Sequence, residues 1–509
     1  MTSLADPARP GGEAARTGDE AAARTDEVDV LVIGAGVSGL GVAALLDRAG
    51  FRSVRILESG ADVGGTWREN TYPGCACDIP SPLYSFSFEQ KADWTRLFAP
   101  QPEILDYLRD VAQRRGLLDR SRFGVKVEQA RWLADVARWE VTTADGERYL
   151  ARFLVSAVGA LHHPVIPDLP GIETFRGAAF HSATWDHEFD FAGKRVAVIG
   201  TGASAIQFVP AIADEVAALT VFQRTPPWIV PKADREFDAR HRRLARLFPP
   251  YRAWIRNRLY WIHERRAAGF LGDGSAMSTT AALARRLLAR QVPDERLRAM
   301  LTPDYEIGCK RLLISSTWYP TLSRGNVDVR PGPVREVTPD TVIGADGVPV
   351  PADVIIYGTG FDAQNTVTRM RIVGRDGIEL ADAWQDGHEA YLGTTVAGFP
   401  NFFVMAGPNT GLGHNSQIFM IEAQARYIVD CLRRLRRRGA ASIEVRAEVQ
   451  REFTEWLQGR LAATVWQSGG CRSWYQDAKT GRNTVLWPDT TIAFWRRTRR
   501  ARARDYRIV

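Results

Sequence analysis

The run V-D-V-L-V-I-G-A-G-V-S-G-L, residues 28–40, restricts the fold more than any other stretch. Residues 28–33 read as a strand buried on both faces, as in a parallel sheet. Gly34, Gly36 and Gly39 then open a helix running to about Arg48, and S-V-R-I-L-E-S follows as a second strand. Glu58 stands near its end, nineteen positions after Gly39. A dinucleotide needs each of these residue types. Gly34 makes the tight turn, Gly36 lets a pyrophosphate reach the backbone, and Gly39 lets helix and strand pack closely. The free N–H groups and positive dipole end of the helix receive the phosphates. A carboxylate at Glu58 accepts hydrogen bonds from ribose hydroxyls.

The pattern repeats. K-R-V-A-V-I-G-T-G-A-S-A places Gly200, Gly202 and Ala205 after another apolar strand, and A-A-L-T-V-F-Q-R-T ends the next strand in Arg224 and Thr225. A carboxylate at this place favours a free ribose diol, and a cation favours a 2′-phosphate. The first site therefore suits FAD or NAD and the second NADPH. Two units of this kind predict an α/β fold with two Rossmann-like dinucleotide-binding domains. A third apolar strand, V-P-A-D-V-I-I-Y, precedes Gly358-Thr359-Gly360, and a fourth, N-F-F-V-M-A-G, precedes a helix expected from about Gln417 to Arg436. Residues 235–300 are rich in Arg, Leu and Trp at helical spacing and read as a helical insertion, most simply with core-facing apolar sides, the lesser alternative being a basic amphipathic surface lying on lipid.

Composition removes several function classes. Apolar residues make up 45% of the 509, enough for large cores, and the length suggests two to four domains at roughly 150 residues each. The net charge of +7 suits an anionic cofactor; no stacked-aromatic basic array points to nucleic acid. Five scattered cysteines, Cys75, Cys77, Cys309, Cys431 and Cys471, read as reduced thiols of a cytoplasmic protein. Cys75 and Cys77 have one residue between them, not the two of a redox-active pair. The histidines form no metal-ligand pair, so no metal is expected. No stretch has the length of a membrane span. Residues 1–25 read as a disordered tail without a secretion signal, and 496–509, with seven arginines, as a solvated basic tail.

F-R-G-A-A-F-H-S-A-T-W-D, residues 175–186, has neither helical nor strand periodicity. It resembles the fingerprint F-x-G-x-x-x-H-x-x-x-W-(P/D) of the FAD- and NADPH-dependent Baeyer–Villiger monooxygenases, through Phe175, Gly177, His181, Trp185 and Asp186. G-G-T-W-R-E-N-T-Y-P-G-C-A-C-D, residues 64–78, is similar to that family's flavin-side segment. Y-E-I-G-C-K-R-L-L resembles its Lys-Arg pair, here Lys310 and Arg311, and S-W-Y its nucleotide-contacting tryptophan, here Trp474. The resemblance runs from about residue 28 to 495. Tyr357 and the segment 473–488 depart from the usual pattern.

The resemblance implies FAD and NADPH as cofactors and a ketone and O2 as substrates. It also implies oxidation to an ester or lactone through a C4a-peroxyflavin, kept anionic by Arg311, which Asp78 orients. Thr66, Trp67, Asp78 and Tyr84 would lie on the FAD side, beside Gly34, Gly36, Gly39 and Glu58. Ser204, Lys310 and Trp474 would join Gly200, Gly202, Arg224 and Thr225 on the NADPH side. His181 would serve the linker rather than transfer protons, with Gly177 giving backbone freedom. The implied division is an FAD domain at 26–165 and 346–495, and an NADP domain at 166–345 carrying the insertion, in a monomer or dimer. Related flavin N- and S-oxygenases share part of the fingerprint, and a purely nucleotide-sensing protein would share the two turns. An ordinary structural ion pair is the competing reading of Asp78 and Arg311.

Overall fold

The computed structural model describes residues 25–272 and 274–509; the expected disordered tail lies outside these, apart from Thr25, which begins the first strand. The first unit is laid down by β1 (Thr25–Ile33), α1 (Val37–Arg48), β2 (Val54–Glu58), α2 (Thr66–Glu69), α3 (Gln101–Arg114), β3 (Ser121–Phe123), β4 (Val127–Leu133), β5 (Arg138–Thr143) and β6 (Arg148–Ser156). The second follows with β7 (Ala178–His181), β8 (Arg195–Ile199), α4 (Ala205–Ile212), β9 (Ala218–Gln223) and β10 (Ile229–Val230). It then runs through the helices α5 (Ala239–Leu247), α6 (Pro249–Glu264), α7 (Ala267–Phe270), α8 (Gly274–Gln291) and α9 (Glu295–Met300). After β11 (Leu313–Ile314) and α10 (Trp318–Leu322) come β12 (Val327–Pro331), the antiparallel β13 (Val334–Val337), β14 (Thr341–Gly344) and β15 (Pro349–Pro351), and β16 (Val354–Tyr357).

The remainder is β17 (Arg371–Val373), α11 (Leu380–Ala383), β18 (Phe402–Val404), α12 (Gln417–Arg438), β19 (Ile443–Val445), α13 (Ala447–Ala462), α14 (Val465–Ser468), α15 (Thr491–Thr498) and β20 (Tyr506–Ile508). Sheet order in the first unit is β17-β4-β5-β6-β1-β2-β3. Strand β6 shares one edge between two partners: antiparallel β5 along its first half and parallel β18 along its second. The second sheet is wholly parallel, in the order β12-β9-β8-β16-β7. Both are the twisted α/β sheets that two glycine turns require, with the turns at the C-terminal ends of β1 and β8.

The third apolar strand departs from expectation. β16 pairs with β7 and β8, so it closes the second sheet instead of returning to the first. All four of its side chains are buried. A short run buried on both faces fits either parallel sheet, so its residues do not choose between them. The expected boundary near 346 therefore moves past Gly360, and the chain re-enters the first sheet at β17 and β18. The outgoing segment between β6 and β7 and the returning one after β16 lie side by side. Val165 N–H donates to the Gly360 carbonyl and Asp362 N–H to that of His163, both at 2.9 Å, with Pro164 opposite Phe361 in an antiparallel bridge.

The C-terminal segment is also not a solvated tail. β20 pairs antiparallel with β19, Ala501 and Tyr506 are buried, and the Tyr506 hydroxyl meets that of Tyr427 on α12. The arginines hid this in the sequence because they alternate with residues that point inward. Among the described residues, no helix is long and apolar enough to cross a membrane.

Candidate active site

Each glycine turn is enforced by a backbone neighbour. Gly34 has φ +104°, and a Cβ there would stand 2.6 Å from the carbonyl oxygen of Ala157. Gly200 repeats this at φ +108°, with the Gly358 carbonyl 2.5 Å from the missing Cβ. Neither position admits a side chain. Gly39 lies beneath the first turn, outside the cleft wall, where a Cβ would run into the Gly34 carbonyl. Gly36 is the N-cap of α1 and Ser204 that of α4, and neither helix has a side-chain cap. Uncapped N–H groups at the end of each strand fit a pyrophosphate.

Glu58 ends β2, nearly buried. One carboxylate oxygen accepts from Ala35 N–H at 2.7 Å; the other accepts from Gly60 N–H at 2.8 Å and Arg68 Nη1 at 3.0 Å. A carboxylate has about four acceptor positions, so capacity for a ribose hydroxyl remains. Arg224 and Thr225 follow directly on β9, the equivalent strand of the second unit. Lys310 faces Arg224, and neither forms an ion pair among the described residues. Burial and the charge of Arg224 push the Lys310 ammonium below its ordinary pKa. Asp304 lies near Lys310, so the two cations outnumber the acid beside them and leave a net positive site suited to a phosphate.

One cleft of about 2100 Å³ runs between the units. Gly34, Gly36, Glu58, Thr66, Trp67, Asp78 and Tyr84 line it from the first unit; Gly200, Gly202, Ser204, Arg224, Thr225, Lys310 and Arg311 from the second; and Trp474 from the C-terminal segment. Trp67, the second residue of α2, donates its indole N–H to the Tyr84 hydroxyl at 3.1 Å, which fixes both rings. Trp474 is half exposed, and its carbonyl accepts from Gln364 Nε2 at 2.9 Å.

Asp78 and Arg311 meet in the wall of this cleft. Arg311 Nε donates to Asp78 Oδ2 at 3.0 Å, and Nη2 donates to the same oxygen. Both side chains are about one-third exposed, at 36% each, so the pair faces the opening. The Asp78 carboxylate holds the guanidinium above its usual pKa, against the opposing effect of burial. Arg311 is therefore a permanent cation, with Tyr475 against it and N–H donors beyond those spent on Asp78.

The cysteines contradict the expectation of five free thiols. Cys309 and Cys471 form a disulfide across 162 residues, leaving Cys75, Cys77 and Cys431 free and buried. It ties the segment bearing Lys310 and Arg311 to the one bearing Trp474. Such a long separation has no signature in the chain.

The 175–186 stretch proves to be partly strand. β7 carries His181 at its end, 1% exposed and outside the cleft wall. His181 Nδ1 accepts from Ala183 N–H at 3.0 Å, and burial pushes the imidazole below its ordinary pKa. Gly177 serves close packing instead of flexibility, since a Cβ would meet the Asp353 carbonyl at 2.3 Å. Trp185 is buried against Phe191 and Phe208.

Three cleft residues escaped the sequence reading. Tyr475 is buried beside Arg311, and burial raises its phenol to about 12. Gln207 on α4 accepts from Ala76 N–H at 2.9 Å and donates to the Tyr72 hydroxyl at 3.2 Å, joining the units. Lys232 has its pKa lowered by burial, near Asp234, Cys77 and Asp78. Only Tyr475 had a signal, its place next to Trp474.

Comparison with known proteins agrees with this geometry. The signature of the FMO-like family, described as Flavin-binding monooxygenase-like, matches residues 27–239. The chain is 46% identical over 480 residues to a Baeyer–Villiger monooxygenase of Pseudomonas aeruginosa, covering 94% of this chain and 91% of that protein. Among solved structures it is similar to an oxidized steroid monooxygenase bound to NADP, with a TM-score of 0.85 at 30% identity over 95% of this chain and 99% of that one. It is also similar to a closed crystal structure of cyclohexanone monooxygenase, with a TM-score of 0.85 at 31% identity over 96% and 100% of the two chains. With its two glycine turns, its cation pair and its Asp78–Arg311 contact on one cleft, the chain belongs to the Baeyer–Villiger monooxygenase family.

Proposed function

We propose that this enzyme uses FAD and NADPH to place one atom of O2 beside a ketone carbonyl, releasing an ester or lactone. Ketone, O2, NADPH and a proton give ester, NADP+ and water. The observation that carries this reading is the Asp78-held guanidinium of Arg311, set in the cleft onto which both glycine turns open.

The residues divide between the two nucleotides. Gly34, Gly36 and Glu58 would hold the FAD, Gly39 packs the turn from beneath, and Thr66, Trp67 and Tyr84 line its pocket. Gly200, Gly202 and Ser204 hold NADPH, Arg224, Thr225 and Lys310 take its 2′-phosphate, and Trp474 contacts the nucleotide. A flavin bound there would supply the activation of oxygen, with NADPH as its source of electrons. Arg311 stabilises negative charge developing beside it, which favours nucleophilic attack on a carbonyl carbon over transfer of electrophilic oxygen to sulfur or nitrogen. A preorganised charge of this kind is worth about 3 kcal/mol or more. Asp78 orients Arg311 and keeps it from being a lone, partly desolvated charge. The enzyme acts in the cytoplasm, where NADPH is regenerated, as a monomer or dimer.

The test is turnover under 18O2 across linear, cyclic and polycyclic ketones, with mass analysis of the products. One labelled oxygen per ester and ketone-stimulated NADPH loss are expected. Sulfoxide or N-oxide formation alone, with every ketone inert, would overturn the reading.

A further inference from the structure

The helical insertion carries a surface that the chemistry does not use. Six of the sixteen large apolar side chains exposed on the described residues fall within 244–262. Leu247 and Phe248 stand at the corner between α5 and α6, 68% and 57% exposed. Trp254, Trp261 and Ile262 follow on α6, with spacings of seven and eight residues that put them on one face. Trp254 and Trp261 are 56% and 50% exposed. From Ala239 to His263 the sequence has seven arginines and no carboxylate. Arg240, Arg243, Arg246 and Arg258 among them are exposed, and the Arg258 guanidinium lies over the Trp254 ring.

The opposite face of α6 is fixed to the body of the enzyme, so the outward face is held rigidly. Buried Arg256 donates to the carbonyls of Leu83 and Ser85 at 2.9 and 2.8 Å, beside Tyr84. Glu264 accepts from Asn415 Nδ2 at 2.8 Å and Ile492 N–H at 3.0 Å. Tyr84 and Asn415 both line the cleft. His241 on α5 bonds the Tyr251 hydroxyl on α6 at 3.0 Å, which sets the corner between the helices.

We infer that the α5–α6 corner docks on a bilayer surface rich in anionic lipid headgroups. Seven arginines against two neighbouring acids, Asp238 at the α5 N-cap and Asp93 near Arg246, supply net attraction to the headgroups, and interleaved Trp, Phe, Leu and Ile supply the apolar wedge that sinks below them. An acidic protein or a nucleic acid would be served by the arginines alone and would leave the aliphatic corner unused. Docking is independent of the reaction. Delivery of a lipid-dissolved ketone to a cleft anchored by the same helix rests on the proposed oxidation.

The full chain is floated with vesicles of phosphatidylcholine alone or mixed with phosphatidylglycerol. We expect at least tenfold stronger partition onto the anionic vesicles, weakened by salt. The tryptophan emission should shift to the blue on binding. Trp254→Ser with Trp261→Ser, and separately Arg243→Glu with Arg246→Glu, should each lower partition tenfold or more. NADPH oxidation with a water-soluble ketone should stay unchanged, which also shows that the variants fold. Equal partition onto both vesicle types, or none, overturns the inference. So does a wild-type dimer in sedimentation that the tryptophan variant turns into monomer, since the face would then pair two copies.

Discussion

Arg311 donates to one carboxylate oxygen of Asp78 through two of its nitrogens, joining positions 233 residues apart. The loop after α2 supplies the acid and the segment before β11 the base, so the pair exists only when the two units are assembled. Arg311 and Asp78 both line the cleft, with Tyr475 beside the guanidinium. Replacing Arg311 with Ala should lower ester formation by roughly 10²–10³-fold, the effect of removing one preorganised charge from a transition state. FAD content and the rate of flavin reduction should change far less. Single-turnover kinetics separates these steps; equal loss in reduction and oxygenation would assign Arg311 to nucleotide binding instead.

The cation pair Lys310 and Arg224 should set the choice between NADPH and NADH. Lys310→Ala removes one of two charges facing a phosphate, worth about 1.5–3 kcal/mol for a charge-assisted hydrogen bond. The KM for NADPH should rise about tenfold or more, while that for NADH stays within about twofold. Steady-state measurements with both nucleotides check this, and a parallel rise for NADH would mean that the lysine merely shapes the cleft.

Glu264 predicts an acid limit on stability. Burial opposes its charge, but His414, 3.5 Å away, and hydrogen bonds from Ile492 N–H, Thr491 and Asn415 outweigh that and hold its pKa at about 2, below the ordinary 4.5. A depressed carboxylate stabilises the fold fully above its unfolded pKa and loses that contribution as pH falls through the folded value. The window is therefore about pH 4.5 down to about 2, and the stake is roughly 3 kcal/mol at 1.36 kcal/mol per unit. Thermal unfolding of wild type and Glu264→Gln should differ most at neutral pH, narrow below about pH 4.5 and converge toward pH 2. A constant difference across that range would refute the assignment.

The Cys309–Cys471 disulfide closes a loop of 162 residues that contains most of the returning chain. Disulfides that close long loops typically contribute about 2–4 kcal/mol. Cys309→Ser with Cys471→Ser should lower Tm by several degrees and expose the segment around Trp474 to faster hydrogen exchange. An unchanged Tm, with no difference in exchange, would leave the bond without a mechanical role.

The readable parts of the chain are those whose chemistry is local. Gly34 and Gly200 announce themselves because a left-handed turn after an apolar strand admits no other residue, and Glu58 stands where such a turn requires an acid. The Asp78–Arg311 contact was legible only through resemblance, since no spacing rule spans two units. β16 carried no address, because Val-Ile-Ile-Tyr suits any strand covered on both sides. The Cys309–Cys471 bond and the anchoring of Gln207 to Ala76 and Tyr72 depend on tertiary closure. The burial of Tyr506 was masked by the charges around it.

The side-by-side pairing of residues 163–165 with 360–362 has a consequence for how the enzyme moves. A two-stranded ribbon twists and flexes across its flat side but resists bending within its own plane. The backbone passes between the halves here in two hydrogen-bonded plies, beside the side-chain contacts of Asp78 with Arg311 and of Gln207 with Tyr72. A paired crossing of this kind fixes how the nicotinamide half is aligned with the flavin half more tightly than two separate single strands would, as a door keeps its latch opposite the strike.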